Sequence, residues 1–234
     1  MELKDKIKFI YFDLDNTLWD FKRNSAIALE KLYDEKIKNL TKENIDFEIF
    51  KDVYRKNNDA MWRAYEREEI TPELLRIKRF EKTIEELELT GLIEGKELND
   101  FYIDYLPNFS YLISHAKEIL EYLVSRYSLG ILSNGFKNTQ YRKLQSGGII
   151  EFFNPIITSD RVGTSKPNAD IFHYAIKKSG CRPEEIVYVG DDYKVDILAA
   201  NKMNMIGILL DPKNKVEDHS IIQIEDLIEL KKYL

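Results

Sequence analysis

Asp13 and Asp15 follow directly on a short apolar run, Phe9 to Phe12, in which aromatic and β-branched residues succeed one another without alternation. Such a run is typical of a strand that is buried on both faces of a parallel sheet. Alternate side chains of a strand point the same way, so the two carboxylates are expected to emerge together, where their charges repel unless a cation lies between them. We expect Mg²⁺, because this ion takes oxygen ligands.

The composition is that of a folded protein. Of the 234 residues, 44% are hydrophobic, and the net charge of −6 comes from charged residues of both signs that are interspersed along the chain. This argues against disorder and makes a long nucleic acid a poor partner. No apolar stretch has membrane-spanning length and no apolar signal segment is present, so we expect a soluble, cytoplasmic protein with no membrane partner. Both a monomer and a homodimer are compatible with the sequence.

Residues 24 to 106 differ from the rest of the chain because they are charged, aromatic and periodic at three and four. We predict a small bundle of helices here. One helix has a clear start signal, with Thr71 as N-cap and Pro72 at the first helical position. The apolar stripes that indicate the three helices are Ala26, Leu29, Tyr33 and Ile37; Phe47, Phe50, Tyr54, Met61 and Tyr65; and Ile77, Phe80, Ile84 and Leu87.

From about residue 110, short apolar runs alternate with stretches of helical period, which is the pattern of a parallel sheet with crossover helices. Because the run at 9–12 fits the same pattern, we predict a doubly wound, Rossmann-like α/β core of residues 1–18 and 107–234, interrupted by an all-α domain of residues 19–106. The further strands are predicted at 127–132, 155–158, 186–189 and 206–210, and the helices of the core at 115–125, 138–146, 169–179, 194–203 and 224–233.

The residues that follow the predicted strands share one chemistry. Ligands of a parallel sheet bind beyond the carboxyl ends of its strands. A hydroxyl group, backbone N–H groups, one cation and several acids around a metal are what phosphoryl chemistry requires. Each group taken singly has an ordinary explanation as a turn, a surface lysine or a helix cap, but their order along the chain favours a site. They are Asp13 and Asp15, Ser133-Asn134-Gly135, Lys166-Pro167 and Gly190-Asp191-Asp192.

With these four motifs in order and Asp196 following, the chain resembles the haloacid dehalogenase-like hydrolase superfamily over nearly its whole length; the first motif reads Asp13-Leu14-Asp15-Asn16-Thr17. The resemblance implies that residues 19–106 are a helical cap domain of the C1 type. It also implies that Asp13 is a nucleophile that forms an aspartyl-phosphate and that Asp15 is a general acid and base.

The resemblance assigns supporting roles to the other motif residues. Thr17 would orient Asp15, and Lys166 would stabilise the phosphoryl group. Mg²⁺ would be held by the carboxylates of Asp13 and Asp191 and by the backbone carbonyl of Asp15. Ser133 and the backbone N–H of Asn134, in the loop that includes Gly135, would bind phosphoryl oxygens, and Asp196 would position Lys166 or a metal-bound water.

Asp15 also indicates which reaction to expect, because the dehalogenases and phosphonate-cleaving members of the family lack an aspartate there. The stretch 57–66 and its continuation to Phe80 resemble the pyrimidine 5′-nucleotidase branch, so the expected partner is a small phosphate monoester, a nucleoside monophosphate. Trp19 or Trp62 is a candidate for stacking on the base. Packing within the helical domain explains Trp62 equally well.

Two alternative enzyme functions stay open, and a signalling function is disfavoured. A phosphatase for a sugar phosphate, phosphoglycolate or a similar metabolite uses the same motifs, and so does a phosphomutase. A phospho-accepting signalling domain also has a strand-end aspartate and a lysine on a doubly wound sheet. It needs a much shorter chain, however, and has neither an inserted helical domain nor a second acid two residues after the acceptor.

Overall fold

The computed structural model describes residues 3–40 and 45–234, which form two compact units. The first unit comprises Met1–Phe21 and Ser110–Leu234, and the second comprises Lys22–Phe109. Across the described ranges, no helix combines the length and the apolar composition that crossing a membrane would require.

The first unit is built on a six-stranded, wholly parallel sheet in the order β3-β2-β1-β4-β5-β6, with β1 near its middle. The chain moves outward from β1 in both directions, which is the doubly wound arrangement that was predicted. The strands are β1 (Phe9–Phe12), β2 (Ser128–Ser133), β3 (Ile156–Thr158), β4 (Ile186–Gly190), β5 (Ile206–Leu210) and β6 (Ile222–Ile224).

Helices α1 (Leu3–Lys6), α6 (Ala116–Val124), α7 (Lys137–Ser146), α8 (Ser159–Val162), α9 (Ala169–Ser179) and α10 (Ala199–Lys202) belong to the same unit. A π-helical segment, Tyr193–Leu198, leads directly into α10, and 3₁₀ turns lie at Ile150–Phe152, Pro183–Glu185 and Leu227–Lys232. The predicted helix at 169–179 is confirmed, with Asn168 as its N-cap and Gly180 in the left-handed region beyond its end.

The register of the central strands places Tyr11 of β1 beside Tyr188 of β4, and both rings are fully buried. Each hydroxyl group finds a partner, since Tyr11 donates to the carbonyl of Ala175 at 2.8 Å and Tyr188 to that of Leu132 at 2.8 Å. Gly130 of β2 lies opposite Tyr11, where a Cβ would be 2.6 Å from the ring. The two tyrosines therefore stand side by side beneath the carboxyl edge of the sheet.

The second unit is helical. Asp46 caps the second of its helices by accepting from Ile49 N–H at 2.9 Å, and the predicted cap Thr71 accepts from Leu74 N–H at 3.4 Å. The core contains several fully buried aromatic rings, among them Tyr54. The helices are α2 (Phe21–Leu32), continued by a π-helical turn at Tyr33–Ile37, α3 (Phe47–Glu66), α4 (Pro72–Glu86) and α5 (Gly95–Tyr105), with a 3₁₀ turn at Leu106–Asn108.

The predicted final helix at 224–233 is shorter than expected and is a 3₁₀ helix. This segment begins at the end of β6, a strand that was not predicted, and continues as the 3₁₀ segment Leu227–Lys232. Leu227 and Leu230 are buried at a spacing of three, which suits the three-residue turn of a 3₁₀ helix as well as an α-helical stripe. Asp226 caps the segment by accepting from Ile228 N–H at 3.0 Å.

Candidate active site

The loop after β1 is a tight turn that fixes both aspartates of the first motif. The N–H of Asp13 donates to the carbonyl of Val189 at 2.9 Å and so continues the pairing of β1 with β4 past the end of the strand. The carbonyl of Leu14 then accepts from the N–H of Trp19 at 2.9 Å. Asn16 has a φ of +63°, a left-handed conformation that asparagine tolerates better than most residues.

Lys166 joins the first and third predicted motifs and Asp196 in one buried cluster. Its ammonium group contacts Asp13 Oδ1 at 2.8 Å, Asp196 Oδ1 at 2.6 Å and the hydroxyl oxygen of Tyr188 at 2.7 Å. The lysine is only 2% exposed, and a buried ammonium group needs such partners to offset its lost hydration. Asp13 and Lys166, which are 153 residues apart in the chain, are thus held in direct contact.

Burial and the neighbouring charges together determine the pKa values in this cluster. Burial raises the pKa of Asp13 to about 7, and the neighbouring charge of Lys166 opposes this increase. Burial alone would lower the pKa of Lys166, but Asp13 and Asp196 together raise it well above the ordinary value of lysine. Lys166 is therefore a permanent cation in contact with the predicted nucleophile.

An acidic cluster beside Lys166 could hold a cation. Asp13, Asp191 and Asp196 each offer a carboxylate oxygen, and these atoms all lie within 4.8 Å of one another. Hard oxygen donors of this kind suit a divalent cation such as Mg²⁺. Asp192 instead caps the following helical segment, because its side chain accepts from Lys194 N–H and Val195 N–H, both at 2.8 Å.

Gly190 is required for this arrangement at the end of β4. A Cβ at this position would lie 2.3 Å from Asp196 Oδ2, so any larger residue would push Asp196 away from Lys166. Glycine is therefore needed at this position of the Gly190-Asp191-Asp192 motif because Asp196, which contacts Lys166, packs closely against it.

The Ser-Asn-Gly loop is tied to the Lys-Pro loop by a pair of hydrogen bonds. Asn134 Nδ2 donates to the carbonyl of Lys166 at 2.9 Å, and the N–H of Lys166 donates to Asn134 Oδ1 at 2.7 Å. Ser133 is 2% exposed, and its hydroxyl oxygen accepts from the N–H of Gly135 at 3.2 Å, which leaves its own proton available for donation. The structure thus brings the second and third motifs together at the same edge of the sheet.

Two residues of α7 that the sequence reasoning missed contact Asp15. Lys143 Nζ lies 2.7 and 2.8 Å from the two carboxylate oxygens of Asp15, and Gln140 Nε2 donates to Asp15 Oδ2 at 3.0 Å. Among the described residues, the hydroxyl group of Thr17 is buried without a hydrogen-bond partner, so no hydrogen bond from it supports the predicted role of orienting Asp15. The spacing of three between Gln140 and Lys143 places them on the face of α7 that also carries the buried Leu144, but this spacing alone does not indicate a contact with Asp15.

The two predicted tryptophans lie in different surroundings. Trp19 is fully buried, with its ring 4.9 Å from Lys143 Nζ and 6.5 Å from the ring of Phe21, so in this structure it offers no open face on which a base could stack. Trp62 of α3 is half-buried and packs edge-on against Tyr65 at a centroid distance of 5.9 Å.

Known proteins match this chain over most of its length. The family described as haloacid dehalogenase-like hydrolase matches residues 10–209, which include all four motifs. Pyrimidine 5′-nucleotidase PynA of Streptococcus pneumoniae (strain ATCC BAA-255 / R6) is 30% identical over 92% of this chain and 88% of its own length. Glyceraldehyde 3-phosphate phosphatase of Methanocaldococcus jannaschii is 30% identical over 97% of this chain and 98% of its own.

A solved structure is similar over the same extent. The crystal structure of the HAD-hydrolase YfnB from Bacillus subtilis, bound to magnesium, matches with a TM-score of 0.85 at 26% identity, and the match covers 97% of this chain and 98% of that one. The family match spans every loop that contributes to the acid and lysine cluster described above. The chain is therefore a member of the haloacid dehalogenase-like hydrolase family.

Proposed function

We propose that this hydrolase is a Mg²⁺-dependent phosphomonoesterase that works through an aspartyl-phosphate on Asp13. The observation that carries the proposal is that the carboxylates of Asp13 and Asp15, which are separated by a single residue, have different hydrogen-bond partners. Asp13 is buried against Lys166, whereas the side chain of Asp15 is 26% exposed and is held by Lys143 and Gln140. Such a difference in environment is what separate roles as nucleophile and as proton carrier require.

In the first step, a carboxylate oxygen of Asp13 attacks phosphorus and forms a P–O bond. The bond from phosphorus to the ester oxygen breaks, and the leaving oxygen keeps the electron pair and takes a proton from the protonated carboxyl group of Asp15. Lys166 and the hydroxyl group of Ser133 stabilise the charge on the remaining phosphoryl oxygens.

In the second step, water attacks the aspartyl-phosphate. The carboxylate of Asp15 takes a proton from the water as its oxygen bonds to phosphorus, and the bond from phosphorus to Asp13 breaks. Inorganic phosphate leaves, Asp13 is again a carboxylate and Asp15 is again protonated, so the cycle closes without a further reactant. Asp15 therefore alternates between acid and base.

The donor set fits Mg²⁺ by its chemistry and its charge. Asp13, Asp191 and the backbone carbonyl of Asp15 are the proposed ligands, and Asp196 is assigned to positioning Lys166, which it contacts at 2.6 Å. Four aspartates face two lysines in this region, leaving negative charge for a divalent cation to balance. Bound Mg²⁺ would supply charge stabilisation to the phosphoryl oxygens.

We propose a nucleoside monophosphate, with a pyrimidine base, as the substrate and the helical second unit as the cap that selects it. The support is the resemblance of residues 57–66 to the nucleotidase branch and the 30% identity to the pyrimidine 5′-nucleotidase PynA. The equal identity to a glyceraldehyde 3-phosphate phosphatase makes a small sugar phosphate the second candidate. Both candidates are small phosphate monoesters and use the same chemistry at Asp13.

The proposal is tested by measuring phosphate release from a panel of monoesters with and without Mg²⁺. The panel includes uridine and thymidine monophosphates, glyceraldehyde 3-phosphate, other sugar phosphates and phosphoglycolate. We expect Mg²⁺-dependent turnover that is greatest for the pyrimidine nucleotides and that is abolished in Asp13→Asn. Preference for a sugar phosphate would overturn the substrate class alone, whereas no release from any monoester would overturn the enzyme proposal.

The specificity assignment of Trp62 has its own test. Trp62→Ala is expected to raise KM for uridine monophosphate several-fold, because stacking on a base contributes about 1 to 3 kcal/mol in other systems. Trp62→Phe, which keeps an aromatic face, is the matched control and should restore most of the affinity. An unchanged KM in the alanine variant would assign Trp62 to packing against Tyr65.

A further inference from the structure

Helix α7 directs two buried polar side chains at the active site, and neither has a role in the mechanism derived above. Gln140 is fully buried and Lys143 is 3% exposed. Both extend from a helix that begins two residues after Gly135. Polar side chains this deeply buried lower stability unless they are well partnered, so their partners show what they do.

The carboxylate partner of Lys143 is Asp15. The ammonium group contacts both oxygens of that carboxylate, at 2.7 and 2.8 Å, and no other carboxylate forms an ion pair with it in the described residues. The same group lies 4.9 Å from the ring of Trp19 and 5.3 Å from that of Phe21. Contacts of this kind with aromatic faces are attractive to a cation and limit where the ammonium group can move.

Gln140 connects the same carboxylate to the phosphate-binding loop. Its Nε2 atom donates to Asp15 Oδ2 at 3.0 Å and to Ser133 Oγ at 2.7 Å. A Cβ at Gly135 would lie 2.3 Å from the amide of Gln140, so the glycine of the Ser-Asn-Gly motif makes room for this side chain. The amide of Gln140 thus fixes the distance between the proton carrier and a hydroxyl group that binds phosphate.

We infer that Lys143, with Gln140, is a positioning residue for Asp15 and holds its carboxyl group on the side where the ester oxygen leaves. Both oxygens of Asp15 are engaged from α7, so rotation of the carboxyl group would break these hydrogen bonds. The inference rests on the proposed function, because it concerns proton transfer to the leaving oxygen. A positioned acid matters most when that oxygen is strongly basic, since a weakly basic one departs without a proton.

The test compares two esters of similar shape that differ in the leaving group. p-Nitrophenyl phosphate expels a weakly basic phenolate, and p-nitrobenzyl phosphate expels a strongly basic alkoxide. In Lys143→Met we expect kcat/KM for the benzyl ester to fall at least about 10-fold more than for the phenyl ester, because general-acid catalysis contributes about 10²-fold or more. Lys143→Arg, which keeps a cationic donor, should recover part of the difference.

The matched control is Lys137→Met on the same helix, because Lys137 lies near Tyr141 and makes no contact with Asp15. It should leave the ratio of the two rates unchanged. If Lys143→Met is unfolded at the assay temperature, Gln140→Met removes the other donor to Asp15 and should give the same pattern. Thermal unfolding of every variant is measured alongside.

Two outcomes would overturn the inference while the proposed function stands. Equal losses for the two esters would assign Lys143 to packing. A loss matched by equally weaker inhibition by inorganic phosphate would make Lys143 a phosphate contact instead. A wild-type protein that hydrolyses neither of these esters nor any monoester of the panel above would overturn the proposed function and this inference with it.

Discussion

Tyr188, Lys166 and Asp196 form a buried group of hydrogen bonds behind the carboxylate of Asp13. Tyr188 accepts from Lys166 Nζ at 2.7 Å, and Asp196 Oδ1 accepts from the same atom at 2.6 Å. Such a network fixes the ammonium group, because displacing it would break bonds to three partners at once. The position of the Lys166 ammonium group, which we propose faces the phosphate, thus depends on Tyr188 and Asp196.

Tyr188→Phe and Tyr11→Phe form a matched pair that tests this dependence. Both tyrosines are fully buried on paired strands, but only the hydroxyl group of Tyr188 contacts Lys166. Each variant should lower the free energy of unfolding by about 1 kcal/mol, the typical contribution of a hydrogen bond. Only Tyr188→Phe should also lower kcat, by about tenfold. Steady-state kinetics and thermal unfolding measure the two effects, and equal kcat values in the two variants would contradict the positioning role.

The adjacent acids Asp191 and Asp192 give a second matched pair. Asp191→Ala should raise the Mg²⁺ concentration needed for half-maximal activity by 10-fold or more, because it removes a proposed ligand of the cation. Asp192→Ala should leave that concentration unchanged and lower stability by about 1 kcal/mol, because it removes a helix cap. Titration of activity with Mg²⁺ after treatment with a chelator distinguishes them. The same Mg²⁺ requirement in both variants would exclude Asp191 as a ligand.

The sequence predicted the residues that follow the strands better than those that face inward from helices. These residues, Asp13, Asp15, Ser133 and Lys166, stand directly after apolar runs or in the next loop. A parallel sheet places such residues at the carboxyl ends of its strands. Lys143, by contrast, is a lysine on a helix with a polar sequence, and helical spacing alone does not show that it points toward Asp15. Only the packing of α7 against the sheet supplies that information.

At the level of elements, four of the crossover segments were predicted because apolar runs and helical periods alternate clearly. The sixth strand was missed because Ile222–Ile224 is short and is followed by leucines at a spacing of three. That spacing fits an α-helix and a 3₁₀ helix equally, and local propensity cannot decide between them. Pairing of β6 with β5 is a tertiary contact, so it was not visible in the local pattern.

The start of β4 is joined to the start of β1 by Glu185, and this junction should be sensitive to pH. The Glu185 carboxylate accepts from Lys8 Nζ at 2.8 Å and from the N–H of Arg182 at 2.9 Å. The hydrogen bond from Lys8, with those from Arg182, lowers the pKa of Glu185 from 4.5 to about 2. Because the pKa is lower in the folded state, the stabilisation is present above pH 4.5 and is lost as the pH falls toward 2.

Glu185→Gln should therefore have a lower Tm than the wild type at pH 7, and the difference should shrink as the pH approaches 3. Glu184→Gln is the control, because the side chain of Glu184 is 40% exposed and lies 3.5 Å from that of Arg182. A change there should alter Tm little at either pH. A Tm difference for Glu185→Gln that stays constant from pH 7 to pH 3 would contradict the assigned role of the carboxylate.

For the whole molecule, the two compact units have different proposed roles. The first unit contains all the residues proposed for chemistry, although they come from segments as far apart as Asp13 and Asp196. The second unit has its own aromatic core, in which Tyr54, Phe80 and Tyr102 pack with ring centroids 4.8 to 5.7 Å apart. The reaction type could be predicted because it resides in four short motifs, whereas no motif identifies the side chains of the helical unit that we propose select the substrate.

The central claim is that hydrolysis proceeds through a phosphoryl group on Asp13, and trapping that group tests it most directly. Asp15→Asn is mixed with p-nitrophenyl phosphate and Mg²⁺, quenched in acid within one turnover and digested, and the modified residue is located by mass spectrometry. The phenolate leaves without a proton, so the first step proceeds in this variant while the second, which needs Asp15 as a base, is slowed. The account predicts a phosphoryl group on Asp13 in this variant and none in Asp13→Asn. A phosphoryl group on any other residue, or turnover with no phosphorylated protein at any time point, would contradict it.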